Sequence, residues 1–208
     1  MTARRTPNLV TCHALAAGLL VTAGCASFQH APPSGLMPDA IVTEPFVQTL
    51  GSTEASVVWE TSRRMYGWLE LVEPAGATSV WRAGARGVVQ TVLLTNLAPG
   101  ARYAYRAAGC VKEGWRTLHT LDPSRAHYTL VACGDNRTHP REFSALASAA
   151  ASYAPEIVIN TGDIVAKGSQ RGDWPAHWFG PGAPLLASAA VLVAWGNHEE
   201  PAAPESWL

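Results

Sequence analysis

The chain has 208 residues, 48% of them hydrophobic and 15% charged, with a formal net charge of −1. That length allows one or two domains, and the charged fraction falls below the roughly 25% of ordinary domains. A near-neutral balance offers no global basic field, which argues against nucleic acid as a partner.

Residues 1–25 read as an export leader rather than as part of the fold. Arg4 and Arg5 form a charged start, and Ala14–Ala23 is an apolar core shorter than the ~20 residues of a spanning helix. The core ends in Ala23-Gly24-Cys25, which resembles the bacterial lipobox, whose cysteine is lipidated and becomes the mature N-terminus. Thr22 departs from the aliphatic residue preferred at its position. Cys25 is thus the expected lipidation site of an exported bacterial lipoprotein, held to a membrane through its lipid, in the periplasm or at the outer membrane. The plainer alternative is an ordinary secretory signal with an incidental cysteine. Ala26, where an aspartate would often signal inner-membrane retention, favours the outer membrane.

Residues 26–39, with Pro32, Pro33, Gly35 and Pro38, read as an extended tether. The mature chain keeps Cys110 and Cys133. A disulfide between them stays open, but they fall in different domains, and two buried thiols are the simpler expectation. The absence of a CxxC pair argues against a structural zinc site.

Residues 40–122 read as all-β. Short strands are expected at 55–60, 67–72, 79–82, 88–94, 102–106 and 116–121, punctuated by glycine and proline at the intervals of a sandwich. Leu97-Ala-Pro-Gly-Ala-Arg-Tyr103-Ala-Tyr105 resembles the fibronectin type III stretch in which a tyrosine after a Pro-Gly turn makes the tyrosine corner. Tyr103 takes that role, and Trp59 is the matching core tryptophan. Trp68, Trp81 and Trp115 are expected to pack in the sandwich and its hairpins; the competing reading is a carbohydrate-stacking platform.

Residues 127–208 alternate strand and helix. Tyr128–Ala132, Ile157–Asn160 and Val191–Trp195 are apolar runs of buried-parallel-strand length. Between the first two, Pro140 opens a helix whose Phe143, Leu146, Ala147 and Ala150 form a stripe facing the sheet. A second helix is expected over Asp173–Phe179, capped by Asp173 and broken by Gly180-Pro181-Gly182. The result is βαβαβ with right-handed crossovers. Each strand ends in a polar turn carrying Asp135, Asp163, or Asn197 and His198. Ligands collect at the carboxyl ends of such strands, and hard oxygen donors plus an imidazole converging there describe a metal site.

Gly134-Asp135, Gly162-Asp163 and Gly196-Asn197-His198-Glu199, 28 and 34 positions apart by their metal-type residues, resemble the first three motifs of the calcineurin-like metallophosphoesterases. That superfamily includes the purple acid phosphatases, which carry a sandwich ahead of the catalytic domain. The resemblance implies a fibronectin type III-like β-sandwich followed by a partial α/β metallophosphoesterase domain. It implies two divalent or trivalent metal ions of the iron, zinc or manganese class and a phosphate-ester substrate attacked by metal-activated hydroxide. Asp135 would bind the first metal, Asp163 would bridge both, and Asn197 would bind the second. His198 would stand near the leaving group as general acid; its plainer reading is a turn residue packed against Asp163. Glu199 would orient its neighbours.

Two positions depart from the family. Arg137 stands where many members have a histidine ligand, and guanidinium offers no lone pair. Ala166 stands where purple acid phosphatases have a tyrosine ligand, so a complete protein would not be purple. Arg137 either grips the substrate phosphate or is a solvated loop arginine. The other histidines are poor ligand candidates; His139 is nearest the site, and His177 lacks a partner at useful spacing. The family completes its site with later histidines, and none follows His198 here, which marks the 208 residues as an N-terminal part of an enzyme. In that reading the third strand is an open edge, one sheet face lacks cover, and the sandwich survives alone better than the βαβαβ half. The rival to the enzyme is a surface-anchored binding module with a degenerate phosphoesterase domain.

Overall fold

The computed structural model describes residues 41–108 and 114–200. Cys25, the tether and Cys110 lie outside the described residues. Two antiparallel sheets form first. One contains β1 (Ile41–Leu50), β2 (Ala55–Met65) and β5 (Gly87–Leu94) in the order β1-β2-β5. The other contains β3 (Trp68–Val72), β4 (Thr78–Arg82), β6 (Arg102–Ala107) and β7 (Arg116–His119) in the order β4-β3-β6-β7. Alternate side chains of facing strands fill the space between them: Val47, Val57 and Trp59 from one sheet, Leu69, Leu71, Tyr105 and Leu118 from the other. Trp59 is buried in this core as expected. The tyrosine corner is present, with the Ala98 N–H donating to the Tyr103 hydroxyl at 2.7 Å.

β1 lies ahead of the expected strands. Its alternation is interrupted by three register irregularities against β2, which hides it from a period-two reading. The same irregularities let β1 bury both faces. Val47 enters the sandwich core, while Phe46 joins a second core with Val58, Phe143, Ile164, Trp174, Trp178, Phe179 and Leu186.

That second core belongs to the α/β part. β8 (Leu130–Cys133), β9 (Ile157–Asn160) and β10 (Ala190–Val193) form a parallel sheet with β9 in the middle. Helix α1 (Pro140–Ala151) connects β8 to β9. Phe143 and Ala147 are its buried residues, but Leu146 is exposed and Ala150 only half-buried, so the stripe is narrower than expected.

Between β9 and β10 the chain does not break at Gly180. A π-helical stretch, Trp174–Phe179, runs directly into α2 (Gly180–Leu186). The Gly180 N–H reaches back five residues to the Pro175 carbonyl, and a Cβ at Gly180 would press on that oxygen. Trp174, Trp178, Phe179, Leu185 and Leu186 are all buried, and this anchoring outweighs the local breaking tendency of Gly-Pro-Gly. Asp173 makes no side-chain cap; its Oδ2 instead accepts the Lys167 N–H at 3.0 Å.

The two parts are joined through a shared core and through individual side-chain bonds. Val191 and Val193 of edge strand β10 pack on the shared core, as does Val89 of β5. The Tyr105 hydroxyl donates to the Ala187 carbonyl, and Arg171 pairs with the buried Glu60 of β2. On the other face of the parallel sheet, Leu130 and Leu192 are exposed and Ile157 and Ile159 half-buried, so that face carries the expected apolar exposure.

Candidate functional site

The loops after β8, β9 and β10 are laced together by their backbones. The Asp135 N–H donates to the Gly162 carbonyl at 2.9 Å, and the Arg137 N–H to the Asp163 carbonyl at 3.2 Å. Such close approach needs glycine: at Gly196 a Cβ would collide with the Asp163 carboxylate and backbone nitrogen. Asp135 and Asp163 sit in the left-handed region, with φ of 54° and 55°. Aspartate tolerates that region better than most residues, and unusual backbone of this kind gathers at functional sites.

One buried carboxylate organises the rim. Glu199 is fully buried and accepts four backbone N–H groups: Asp163 at 2.9 Å, Ile164 at 2.8 Å, Val165 at 3.2 Å and Gly196 at 2.7 Å. It fixes the turn that presents Asp163 to the loop that presents Asn197 and His198. The sequence reading gave Glu199 an orienting role, and its bonds have that form. Behind the rim, Asn160 bonds Asn136 at 3.0 Å, and Asn136 reaches the Ile164 carbonyl at 3.1 Å. Cys133, a half-buried free thiol, lies beside Asn160, and burial pushes its pKa up.

Asp135, Arg137, Asp163, Asn197 and His198 all stand on these three loops. Arg137 has a role neither alternative foresaw. Its Nη1 donates to Asp163 Oδ2 at 2.8 Å, and its Nε lies 3.2 Å from Asp135 Oδ1. It is a tie between the two carboxylates rather than a solvated side chain. The other Asp163 oxygen, Oδ1, accepts the His198 N–H at 3.2 Å. Asn197 is exposed at the same rim.

Two imidazoles frame Ala166. Nδ1 of His198 lies 2.7 Å from the Ala166 carbonyl, which can only accept, so Nδ1 carries a proton and Nε2 is left to exchange one. His177 does the reverse: its Nδ1 accepts the Ala166 N–H at 3.3 Å. Sequence spacing gave His177 no partner; the π-helical turn brings it here. His139 is exposed at the start of α1 and bonds locally with Thr138.

The described residues do not by themselves fit a two-metal centre. Among them, no group of three or more His, Cys, Asp or Glu side chains is placed to hold a metal ion. The two aspartates that would serve as donors share the single guanidinium of Arg137.

The sequence matches no protein-family model and no curated protein. Among solved structures, the fold is similar to purple acid phosphatase PPD1 from yellow lupin (Lupinus luteus) seeds, at a TM-score of 0.63 and 17% identity over 79% of this chain. It is also similar to PhoD, at a TM-score of 0.55 and 11% identity over 81% of this chain. The chain spans 36% of the first and 40% of the second. At these identities the likeness is one of fold: a β-sandwich followed by a βαβαβ unit of the kind found in purple acid phosphatase.

Proposed function

We propose that this chain is part of an exported phosphoesterase, acting on phosphate esters at the rim formed by Asp135, Arg137, Asp163, Asn197 and His198. The observation that carries this reading is the convergence of the three strand-end loops, on a fold like that of a purple acid phosphatase. In the hydrolysis, water adds to phosphorus, the ester P–O bond breaks, and the leaving oxygen takes a proton. In this reading His198 gives that proton, and the contact of its Nδ1 with the Ala166 carbonyl, which leaves Nε2 to exchange, supports the assignment. Dependence on metal ions of the iron, zinc or manganese class is an expectation of the sequence resemblance.

The test is hydrolysis of p-nitrophenyl phosphate and bis(p-nitrophenyl) phosphate by the full-length protein, with manganese, zinc or iron and with EDTA. Turnover that falls at least a hundredfold in His198→Ala is expected. Turnover unchanged in that variant would remove His198 from the reaction.

One observation favours the second reading, a lipid-anchored module with a degenerate phosphoesterase part: Arg137 already occupies both carboxylates. Absence of turnover under every metal condition, with a folded protein, is its expected signature.

Export and anchoring rest on residues 1–25. We propose lipidation at Cys25, which brings the chain to a membrane surface. Metabolic labelling with a fatty acid should mark the parent and not Cys25→Ser; equal label in both would refute it.

A further inference from the structure

We propose that His177 is a positioning residue for His198, holding the Ala166 backbone so that the Ala166 carbonyl keeps the His198 imidazole in one tautomer. The proposal rests on the phosphoesterase reading for its purpose, because the tautomer matters through the proton exchanged at His198 Nε2.

The loop after β9 is held by its N–H groups. Those of Asp163, Ile164 and Val165 donate to Glu199, that of Lys167 to Asp173 at 3.0 Å, and that of Gly168 to the His198 carbonyl at 2.7 Å. The Ala166 N–H goes to Nδ1 of His177 at 3.3 Å. Ala166 is also the residue whose carbonyl meets Nδ1 of His198, at 2.7 Å. Its side chain is a methyl group, so only the main chain at this position can hold that ring. Where the ring is held therefore depends on where the Ala166 backbone is held.

The two imidazoles meet Ala166 in opposite senses. A neutral imidazole has one N–H and one bare nitrogen. His177 accepts at Nδ1, so its proton sits on Nε2; His198 donates from Nδ1, so its Nε2 is bare. Two rings on one residue are thus fixed as opposite tautomers.

Irregular backbone puts His177 there. It lies in the π-helical stretch Trp174–Phe179, which the buried Trp174, Trp178 and Phe179 anchor. Such stretches are rare and are found often at functional sites. The His177 carbonyl also accepts from the Asn136 side chain at 3.4 Å. One residue therefore touches the loops after β8 and β9 and, through Ala166, the imidazole on the loop after β10.

The test is long-range proton–nitrogen correlation NMR of the imidazoles in the full chain. It is run at about pH 8, well above the ordinary imidazole pKa of about 6.5, on the parent, His177→Asn and His177→Leu. The parent should show one ring protonated at Nδ1 and lost in His198→Gln, and one protonated at Nε2 and lost in His177→Asn. Asparagine places an acceptor oxygen near the position of Nδ1, so His177→Asn should leave the His198 signals in place. Leucine offers no acceptor, and His177→Leu should move them to those of exchanging tautomers; His177→Ala reads the same loss should the leucine variant not fold. Three results would each overturn the proposal: His177 protonated at Nδ1 in the parent, His198 signals unchanged when the acceptor is lost, or signals altered equally in His177→Asn. Turnover of p-nitrophenyl phosphate is read separately. Its absence in the parent sinks the phosphoesterase reading and leaves the coupling of the two rings standing. Where turnover is present, kcat should fall at least tenfold in His177→Leu and return in His177→Asn, and an equal kcat in all three would remove the positioning role.

Discussion

Arg137 is hydrogen-bonded to Asp163 across the rim, Nη1 to Oδ2 at 2.8 Å, while its Nε faces Asp135 at 3.2 Å. The guanidinium thus stands as an internal cation between two carboxylates that would otherwise attract one from solution. Removing it should do two things. Arg137→Met should lower thermal stability in the absence of divalent ions, because two neighbouring carboxylates lose their counter-charge. It should also raise the affinity for manganese at least tenfold, measured by calorimetry. Equal affinity in parent and variant would mean that Arg137 does not compete with cations.

Glu199 is predicted to be the costliest single rim residue to replace. Four backbone N–H groups depend on its two oxygens, and bonds to a charged acceptor are worth about 1.5–3 kcal/mol each. In Glu199→Gln the amide turns N–H toward N–H on one side. A loss of about 3 kcal/mol or more is expected, seen as a fall in Tm of roughly 6–12 °C for a chain of this size. A fall under about 2 °C would show that the N–H groups find other partners.

The rim was readable in the sequence because its glycines and aspartates follow short apolar runs, whose length and β-branched content fit strands. Asp135, Asp163, Asn197 and His198 were found that way. What the sequence concealed depends on distance in space. The Arg137 tie joins residues 26 positions apart, and His177 reaches Ala166 through a π-helical turn that no simple periodicity announces. The buried outer faces of β1 and β2 were hidden for a similar reason. Phe46 and Val58 look like ordinary strand residues until Phe179 is packed nearby.

Glu156 links acid stability to the junction of the two parts. Burial alone would raise its pKa, but the Thr129 N–H and the Arg125 guanidinium outweigh that and hold the carboxyl below its usual range. A carboxyl depressed on folding adds stability that is complete above its unfolded value of about 4.3 and is lost as pH falls through the folded value. Glu156→Gln should therefore cost about 1–2 kcal/mol at pH 7. It should also flatten the loss of stability below about pH 4.3. Urea titrations at pH 7 and in acid check this, and an equally steep acid loss in the variant would exclude Glu156 as its source.

Tyr105 probes the seam directly. Its ring is fully buried in the sandwich core, yet its hydroxyl donates to Ala187, just past α2. Tyr105→Phe keeps the ring and deletes the bond, so a loss of about 1 kcal/mol is expected. Both parts should still melt in one transition, shifted by roughly 2–4 °C. Two separated transitions in calorimetry would show that this bond alone holds the parts together.

The two-sided burial of β1 also constrains how such a chain can change over generations. Phe46 rests on Phe179 with ring centroids 4.9 Å apart, although one belongs to the sandwich and the other to the α/β part. A crossover between related genes that fell in the stretch between His119 and Leu130 would inherit one surface without its mate. The two parts are therefore expected to be passed on together, and a substitution at Phe46 to be tolerated only alongside a compensating one at Phe179 or Trp178.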